Sequence, residues 1–379
     1  MPLHVALNLV YLVPGEIGGM ETYARELIPR LAGRADLHIT CLVNREAARA
    51  GGGPWGEVAP MEVVPVDARS RVQWVRGEQQ HVPRIAARIG ADVIHSLAST
   101  APLWSRAARV TTVHDLHYKL VPDAHFGVRG LGMRVLVPAA VHRSRRVIVD
   151  AVSTREDLVR HLHTSADKID VVPLAAEPPA GVRPTPEADL RVRLGLGDRR
   201  IVLSASAKRP HKNLARLLDA FAALPAAGRP LLVLPGYPTP HEDELRAHAA
   251  GLGIAHDVRF LGWLSAADLE GLYAISALVA FPSLYEGFGL PVLEAMSRGV
   301  PVVTSASGAL AEVAGDAALS VDPHDTAALS AAIARVLGDE LLAARLRAAG
   351  RARAARFSWE RTAALTERTY YHASEPLPA

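Results

Sequence analysis

The sequence contains only one cysteine, Cys41, among 379 residues. A single thiol excludes an internal disulfide, and because Cys41 lies in the apolar run 37–43, we predict a buried core side chain in a β-strand. Aromatic residues make up only 5% of the chain, and the net charge is only +3. With so small a charge and no interleaving of aromatic and basic residues, the sequence predicts no nucleic-acid partner.

No apolar run approaches the length of about 20 residues that a transmembrane helix needs. The apolar stretch 2–12 lacks a basic leader and a small-residue cleavage site, so we interpret it as a first β-strand rather than a signal peptide. Hydrophobic residues still make up 49% of the chain, and much of this fraction is alanine, which is typical of helix-rich packing. These features predict a cytoplasmic protein.

The length of the chain and the pattern of its apolar runs predict two α/β domains. Short runs rich in valine and isoleucine alternate with stretches of helical periodicity, which is typical of doubly wound parallel sheets. The predicted strands are 4–12, 37–43, 92–95, 110–113 and 146–149 in the first half, and 201–205, 231–235, 258–261, 277–281, 300–305 and 319–321 in the second. The proline-rich stretch 175–187 predicts neither a helix nor a central strand, so we place the join between the domains near 176–199.

The stretch 281–294 reads Phe-Pro-Ser-Leu-Tyr-Glu-Gly-Phe-Gly-Leu-Pro-Val-Leu-Glu and predicts a site for a phosphorylated sugar donor. It has the pattern of a strand end, a glycine turn and the first turn of a helix. Such a helix start directs N–H groups and a positive dipole end at the turn, and glycines let the backbone approach an anion. Two carboxylates add acceptors for sugar hydroxyls. The predicted donor-binding residues here are Glu286, Gly287, Phe288, Gly289, Leu290 and Glu294.

A second candidate anion site is the basic loop 205–214, which follows a predicted strand and contains Lys208, Arg209 and Lys212. Ligands gather at the carboxyl ends of parallel strands, so we expect this loop and the glycine turn to face the same diphosphate. Taken alone, each of the two loops also fits an ordinary solvated turn.

Together the two loops resemble the signature of the retaining family-four glycosyltransferases of GT-B fold, whose two motif glutamates are likewise separated by seven residues. The resemblance implies two Rossmann-like domains that face a central cleft and a C-terminal helix that crosses back to the first domain. It implies an N-terminal acceptor-binding domain at 1–177, with 360–379 packing on it, and a C-terminal donor-binding domain at 178–359.

The resemblance also implies roles for individual residues. Glu286 is expected to bind the transferred hexose, for which the resemblance implies a mannose-like sugar, and Glu294 is expected to bind the ribose. Lys212 is expected to grip the diphosphate together with the residue that takes the place of the family's arginine, which is either Lys208 or Arg209.

Two glycine turns complete the implied donor site. The first is Gly18-Gly19, between the first strand and an amphipathic helix, which resembles the family's loop against the donor phosphates. The second is Gly262, in the turn whose backbone pairs with the nucleobase in this family. Contacts made by the backbone do not depend on side-chain identity, so the sequence does not show which base is bound. UDP, GDP and dTDP all remain open as donor nucleotides.

A polar cluster follows the predicted strand 110–113, where a strand's carboxyl end is expected to face the ligand. The resemblance implies that His114 approaches the donor hexose near the reacting centre, that Asp115 orients the local backbone, and that His117 faces the acceptor. A structural histidine is the alternative interpretation of His114.

The sequence shows no Asp-x-Asp pair at a strand end and no compact histidine spacing, so we expect no metal and no cofactor besides the UDP-, GDP- or dTDP-sugar. Cationic side chains and the helix start are expected to stabilise the leaving diphosphate. With no carboxylate placed as a nucleophile, we hypothesise a same-face mechanism, and retention is implied by the resemblance alone. The predicted catalytic residues are His114, Arg209, Lys212 and Glu286.

The predicted function is transfer of a hexose from a nucleoside-diphosphate sugar to a hydroxyl acceptor, which is a glycan, a lipid-linked acceptor or a small-molecule scaffold. The alternatives are a sugar-nucleotide epimerase or sugar-phosphate synthase on the same fold, and a non-catalytic sugar-nucleotide binding module. The stretch 129–146 mixes apolar and basic residues, which raises the hypothesis of peripheral contact with the inner membrane face. Pro138 argues against one uninterrupted amphipathic helix there and favours a core-packed helix with a basic end.

Overall fold

The computed structural model describes residues 2–15, 18–51, 55–121 and 128–375, with the backbone alone for 128–131. The chain divides into two compact units, of which one comprises 1–174 with 358–379 and the other comprises 175–357. The boundaries predicted from the sequence were 177/178 and 359/360.

The first unit contains a seven-stranded parallel sheet with the order β3-β2-β1-β4-β5-β6-β7. Its strands are β1 Leu3–Leu9, β2 Leu37–Val43, β3 Met61–Val63, β4 Val93–Ser96, β5 Ala108–Val113, β6 Arg146–Val149 and β7 Ile169–Val171. Its helices up to the join are α1 Gly19–Ala32, α2 Arg45–Arg49, α3 Arg71–Arg76, α4 Val82–Arg88, α5 His117–Leu120, α6 Val128–Arg143 and α7 Val152–Leu162. A π-helical turn, Gly77–His81, connects α3 to α4.

The second unit contains a six-stranded parallel sheet with the order β10-β9-β8-β11-β12-β13. Its strands are β8 Ile201–Leu203, β9 Leu231–Leu234, β10 Val258–Phe260, β11 Ser276–Phe281, β12 Val302–Ser305 and β13 Leu319–Val321. Its helices are α8 Glu187–Leu194, α9 Leu214–Ala222, α10 His241–Gly251, α11 Ala266–Ile275, α12 Leu290–Ser297, α13 Gly308–Ala314, α14 Thr326–Gly338 and α15 Glu340–Ala354.

In each sheet the strand order reverses at one place, between β1 and β4 in the first unit and between β8 and β11 in the second. The connections on the two sides of a reversal run in opposite directions, which opens a crevice at the carboxyl ends of the central strands. In the second unit, the loops that leave β8 and β11 are the predicted basic loop and the predicted glycine turn. The topology therefore places these two loops side by side.

The predicted α/β class and parallel sheets are confirmed, and every predicted strand is present. Cys41 is buried in β2 as predicted, and burial raises the pKa of its thiol to about 12. The first strand ends at Leu9 rather than at residue 12, because the chain turns there and Leu12 N donates to Leu9 O at 3.0 Å. The Asn44 side chain donates to Val10 O and Leu12 O at 3.0 and 2.7 Å, which keeps this apolar turn buried without a strand partner.

Three elements were not predicted. The strands β3 and β7 have three residues each and lie at the two edges of the first sheet, where a short run gives little hydrophobic signal. Helix α8 lies within the predicted join near 176–199 and begins at Glu187, the last residue of the proline-rich stretch for which no helix was predicted. Pro186 precedes this helix and Gly195 ends it in the left-handed conformation with φ of 63°, so proline and glycine here delimit a helix.

The C-terminal helix α16, Trp359–Ser374, packs on the first unit, as the resemblance implied. Trp359 and Tyr370 are 1% and 0% exposed. The Tyr370 hydroxyl lies 2.7 Å from His95 Nδ1, and Thr362 Oγ1 donates to Pro173 O at 2.7 Å. The last residues of the predicted packing segment, 376–379, lie outside the described residues.

Helix α6 continues through Pro138, so the prediction that this proline interrupts the helix was wrong. A proline removes one intrahelical hydrogen bond, and neighbouring packing compensates for that loss. Val137 and Val141, four residues apart on one face, are buried in the core of the first unit. This burial agrees with the core-packed interpretation, although the side chains of 129–131 lie outside the described residues. Within 128–375 and the other described ranges, no helix is long and apolar enough to cross a membrane.

The buried indole of Trp359 gives the first testable prediction. We expect Trp359→Ala to lower the free energy of unfolding by about 3–5 kcal/mol, because it removes a large buried side chain and leaves a cavity. The control is Trp104→Ala, at a side chain that is 72% exposed, for which we expect a loss of less than about 1 kcal/mol. Urea unfolding followed by far-UV circular dichroism measures both. Equal losses in the two variants would contradict the assigned packing of α16.

Candidate functional site

An ion pair between the basic loop and the glycine turn lies at the centre of the candidate donor site. Lys212 Nζ is 2.6 Å from Glu286 Oε1 and 5.2 Å from the centroid of the Phe281 ring. The Lys212 and Glu286 side chains are 16% and 10% exposed, so both still reach solvent. The fold therefore joins two residues that were assigned to one ligand although they lie 74 positions apart.

Asn213 fixes the relative positions of three loops at this edge of the sheet. It has a left-handed backbone with φ of 59°, which asparagine tolerates better than most residues. Its side-chain amide is buried and donates to Pro282 O at 3.0 Å and to Pro323 O at 2.8 Å. Because Asn213 directly follows Lys212, these two bonds also set the direction from which the Lys212 side chain approaches Glu286.

Apolar side chains pack against the glycine turn and fix its position. Gly289 has φ of 105°, and a Cβ on it would lie 2.5 Å from Leu310 Cδ2, so no other residue fits this position without strain. The Phe288 ring is 6% exposed and meets the Phe357 ring at 6.0 Å between centroids. Helix α12 then begins at Leu290, which places the positive end of its dipole at the turn as predicted.

Glu294, on α12, is held by groups that the sequence did not point to. Tyr273 on α11 donates its hydroxyl hydrogen bond to Glu294 Oε2 at 2.8 Å. Burial raises the pKa of Glu294, opposed by the nearby Arg298 guanidinium. Arg298 in turn donates to Glu270 Oε2 at 2.8 Å. The carboxylate therefore has a fixed orientation, which suits an acceptor of hydroxyl hydrogen bonds.

Lys208 occupies a different position from the other cations of the basic loop. Its side chain is 0% exposed, and its Nζ donates to Gly236 O at 2.7 Å and to Leu261 O. Burial lowers the pKa of Lys208 to about 8. Arg209, by contrast, is exposed. The two residues that the sequence left open for the arginine role therefore differ in exposure, with Lys208 in the interior and Arg209 at the surface.

The first unit holds His114 at the carboxyl end of β5. Its Nδ1 lies 2.7 Å from Asp150 Oδ2, and its Nε2 lies 3.0 Å from Leu97 O. A charged imidazolium donates to both of these partners, whereas a neutral ring donates to only one of them. Burial disfavours the charged ring, but the Asp150 carboxylate and the Leu97 carbonyl outweigh it, so the pKa of His114 is raised. Asp150 and the Leu97 carbonyl therefore orient the ring and favour its charged form.

Asp115 forms a tight local turn with His117. One carboxylate oxygen accepts the backbone N–H of His117 at 3.0 Å, and the other lies 2.7 Å from His117 Nδ1. Partial desolvation raises the pKa of the Asp115 carboxyl, but the bonds to His117 outweigh it and hold this pKa well below the usual range. This geometry is that of a residue that orients backbone, which is the role predicted for Asp115. The acceptor contact predicted for His117 stays a prediction.

The two predicted glycine turns have different local geometries. Gly18 has φ of 61° and ψ of −126°, a conformation open essentially to glycine alone, and α1 begins at the next residue, Gly19. Glu21 accepts the backbone N–H of Gly15 at 2.7 Å. Gly262 follows β10, and its carbonyl accepts the N–H of Gly236 at 3.1 Å.

Two residues that hold the candidate site, Asp150 and Tyr273, were not predicted from the sequence. The sequence did contain a signal for Asp150. This polar residue directly follows the apolar strand β6, and His114 directly follows the neighbouring parallel strand β5, so the two residues lie at the same edge of the sheet. Tyr273 lies in an apolar helix, where an aromatic residue normally indicates core packing. Its bond to Glu294 depends on how two helices meet, which their patterns do not encode.

Residues 17–178 match the family described as Glycosyltransferase Family 4, and residues 187–353 match Glycosyl transferases group 1. Among curated proteins, the chain is 34% identical over 265 residues to the O-antigen chain mannosyltransferase B of Escherichia coli, which covers 69% of each chain. It is 30% identical to a D-inositol 3-phosphate glycosyltransferase of Salinispora arenicola, over 95% of this chain and 90% of that protein.

Solved structures share the fold of the whole chain. Sucrose-phosphate synthase from Thermosynechococcus elongatus superposes with a TM-score of 0.78 at 23% identity, over 97% of this chain and 98% of that one. Anabaena HepE in complex with UDP-glucose superposes with a TM-score of 0.77 at 22% identity, over 97% and 99% of the two chains. At these identities the likeness shows the fold.

The His114 and Asp150 pair gives a prediction on protonation. We expect His114 to titrate above the ordinary histidine value of 6.5, because Asp150 stabilises the imidazolium. The ring C–H resonances followed by NMR against pH measure this, and the spectrum of His114→Gln assigns the signal. Asp150→Asn should lower the midpoint.

The same pair makes stability depend on pH. A histidine whose pKa is raised on folding stabilises the protein fully below the unfolded value of about 6.5, and this contribution is lost as the pH rises through the folded pKa. As the pH rises from about 6.5 through the folded pKa of His114, the free energy of unfolding should therefore fall less in His114→Gln than in the natural protein. A His114 midpoint at or below 6.5 would contradict the charged pair.

Proposed function

The chain belongs to the family-four glycosyltransferases, and from this premise we propose that it transfers a hexose from a nucleoside-diphosphate sugar to a hydroxyl acceptor. In this proposal the transfer retains the anomeric configuration and needs no metal ion. The observation that supports it best is the Lys212 and Glu286 pair at the start of α12, because it combines a cation for phosphate with a carboxylate for sugar hydroxyls in one place.

A nucleoside-diphosphate sugar fits the two loops of the second unit. The exposed Arg209, the Lys212 ammonium and the dipole of α12 all present positive charge at the carboxyl ends of β8 and β11. The neighbour of the same fold from Anabaena is described in complex with UDP-glucose. The relative from Escherichia coli is described as a mannosyltransferase, so a mannose-like hexose is the first sugar to test.

We assign the contacts by the chemistry of each side chain. Lys212 binds the diphosphate, Glu286 binds the hexose, and Glu294 binds the ribose. Lys212 Nζ and Glu286 Oε1 are 2.6 Å apart and satisfy each other. When the diphosphate takes the place of Glu286 at the ammonium, the Glu286 carboxylate becomes available for the hexose hydroxyls. Binding of the two halves of the donor is thus linked through one ion pair.

Loss of the nucleoside diphosphate requires that the charge developing on the β-phosphate be stabilised. In the proposal, Lys212, Arg209 and the α12 dipole provide this stabilisation in place of a divalent cation. The first unit is assigned to the acceptor, with His114 kept in its predicted catalytic role. The nature of the acceptor, the cytoplasmic location and the peripheral contact with the inner membrane face remain parts of this proposal.

The first experiment is a thermal-shift screen with UDP-, GDP- and dTDP-sugars, because a ligand that binds the folded state raises its apparent stability. The donor found is then incubated with candidate hydroxyl acceptors, with and without EDTA. A transferase releases nucleoside diphosphate in an acceptor-dependent way, and EDTA should not change the rate. Formation of a new sugar nucleotide without any acceptor would instead support the epimerase alternative.

Two substitutions at the ion pair separate phosphate from hexose recognition. Lys212→Met should lower kcat/KM by about 10²–10³-fold, because the leaving diphosphate loses a charged donor. Glu286→Gln should weaken binding of the donor relative to that of the free nucleoside diphosphate, because only the hexose contact is lost. Isothermal titration with both ligands measures this ratio.

The control for this pair of variants is Arg345→Met, which removes a cation from the exposed surface of α15. We expect it to leave kcat/KM and both affinities unchanged. If Glu286→Gln weakened the donor and the free diphosphate equally, Glu286 would not bind the hexose.

A further inference from the structure

A buried carboxyl group in the first unit has no part in the roles described above. Glu78 is 2% exposed and lies in the π-helical turn Gly77–His81. Its Oε1 accepts hydrogen bonds from Asn8 Nδ2 at 3.1 Å and from Thr100 Oγ1 at 3.0 Å. Burial raises the pKa of Glu78 to about 7, because these neutral donors offset only part of the cost of burying a charge. Carboxyl groups perturbed in this way concentrate at functional sites.

Glu78 is tied to the place where the strand order of the first sheet reverses. Asn8, near the end of β1, pairs in register with Ser96, the last residue of β4. The Asn8 amide donates to Ser96 Oγ as well as to Glu78, in both cases at 3.1 Å. The carboxyl ends of β1 and β4 border the crevice in which sheets of this kind bind their ligands. The buried carboxyl group is therefore joined to both strands that border this crevice.

Glu78 and the next residue, Gln79, also hold the loop that leaves β4. The Gln79 side chain donates to Ala101 O at 2.9 Å and accepts the backbone N–H of Leu103 at 3.0 Å. The loop 97–103 contains no helix or strand, so it has no backbone ladder of its own to define its shape. The side-chain bonds from the π-helical turn supply that definition.

The turn itself is fixed by its winding and by close packing. The N–H of Val82 donates to Gly77 O, five residues earlier, which is the π-helical bond. Single turns of this kind are rare and occur frequently at functional sites. A Cβ on Gly77 would lie 2.9 Å from Val66 Cγ2 and 3.3 Å from Val10 Cγ1, so glycine lets the turn approach the chain just after β1. The turn is thus a firm support for the loop that it holds.

The first residue of this loop supplies a partner of His114. Leu97 O lies 3.0 Å from His114 Nε2, and this carbonyl is one of the groups that raise the pKa of the ring. The direction of a carbonyl group is set by the backbone of its loop, and Glu78 and Gln79 hold that backbone a few residues further along. A change in their bonds therefore reaches His114 through the loop.

We propose that Glu78 and Gln79 are positioning residues for His114, which act through the loop 97–103 to keep Leu97 O against the ring. The inference rests on the proposed function, in which His114 is the predicted catalytic residue of the first unit. The role assigned to Glu78 is that of an oxygen acceptor for two donors, and it does not require a negative charge. A glutamine amide offers the same acceptor oxygen, whereas alanine offers none.

The first test follows the ring C–H resonances of His114 against pH by NMR. In Glu78→Ala the loop loses a bond and Leu97 O is no longer held in place, so we expect the midpoint of His114 to fall by about 0.5–1 pH unit, the size of one lost hydrogen bond. Glu78→Gln removes the charge but keeps the acceptor oxygen, so its midpoint should equal that of the natural protein. Equal falls in the two variants would show an effect of charge and overturn the positioning role.

Two further variants act on the same turn. Gln79→Ala removes the bonds to Ala101 and Leu103 without changing a charge, so it should lower the midpoint in the same direction, and it keeps the test decisive if Glu78→Ala does not fold. Gln80→Ala is the matched control, because this neighbouring side chain is exposed, and it should leave the midpoint unchanged. Far-UV circular dichroism establishes that each variant is folded.

The second test compares turnover with binding of the donor nucleotide. In Glu78→Ala we expect kcat to fall about 10- to 100-fold, because a catalytic group that is displaced by a small distance loses much of its effect. The affinity for UDP, GDP or dTDP, whichever the thermal-shift screen selects, should stay the same in isothermal titration, because the donor is assigned to the second unit. Glu78→Gln should restore most of kcat, and Gln80→Ala should not change it.

The outcomes separate this inference from the proposed function. If the natural protein binds no nucleoside diphosphate and releases none in the presence of acceptors, the proposed function fails, and the catalytic importance of the turn fails with it. If the natural protein transfers a hexose and the midpoint of His114 is unchanged in Glu78→Ala and Gln79→Ala, the proposed function stands and the positioning role is overturned. A lower midpoint with an unchanged kcat would also overturn it, because the orientation of His114 would then not matter for transfer.

Discussion

Both units depend on one constraint, which is that backbone carbonyls need buried donors where the chain leaves a parallel sheet. A carbonyl buried without a donor costs about 1–3 kcal/mol, and the loops at these strand ends lie partly in the interior. Side chains provide the missing donors. In the second unit, Lys208 donates to two carbonyls and Asn213 donates to two others. In the first unit, Asn44 does the same for the turn after β1.

This constraint determines which loops can carry function. A loop that is fixed by side-chain donors has a defined shape without regular secondary structure, so groups on it hold their direction. Asn213 fixes the loop that ends in Lys212, and Lys208 fixes the turns on its other side. Preorganised groups bind a ligand without the cost of ordering them. The candidate donor site thus owes its geometry to amide and ammonium groups that need not touch a ligand.

The fold could be predicted from the sequence because each central strand is an apolar run that can be identified without knowing which strand it pairs with. The sequence also predicted the glycine turn and Lys212, since glycine, proline and charge at a strand end have a local physical meaning. It did not predict the role of Lys208, because a lysine is rarely buried and the cost of burying this one is offset by distant groups, the carbonyls of Gly236 and Leu261 and the Glu242 carboxylate at 3.9 Å. Asp150 and Tyr273 were missed for a related reason, since each acts through a partner on another element.

The ion pair between Lys212 and Glu286 has a further consequence in the proposed function. A ligand that offers only phosphate satisfies Lys212 but leaves the half-buried Glu286 carboxylate without its cation. A ligand that offers only hydroxyl groups must share Glu286 with the lysine that already holds it. The intact nucleoside-diphosphate sugar satisfies both groups at once, so the pair discriminates against either half of the donor. After transfer the remaining diphosphate loses this advantage, and the ammonium can return to Glu286, which favours release of the product.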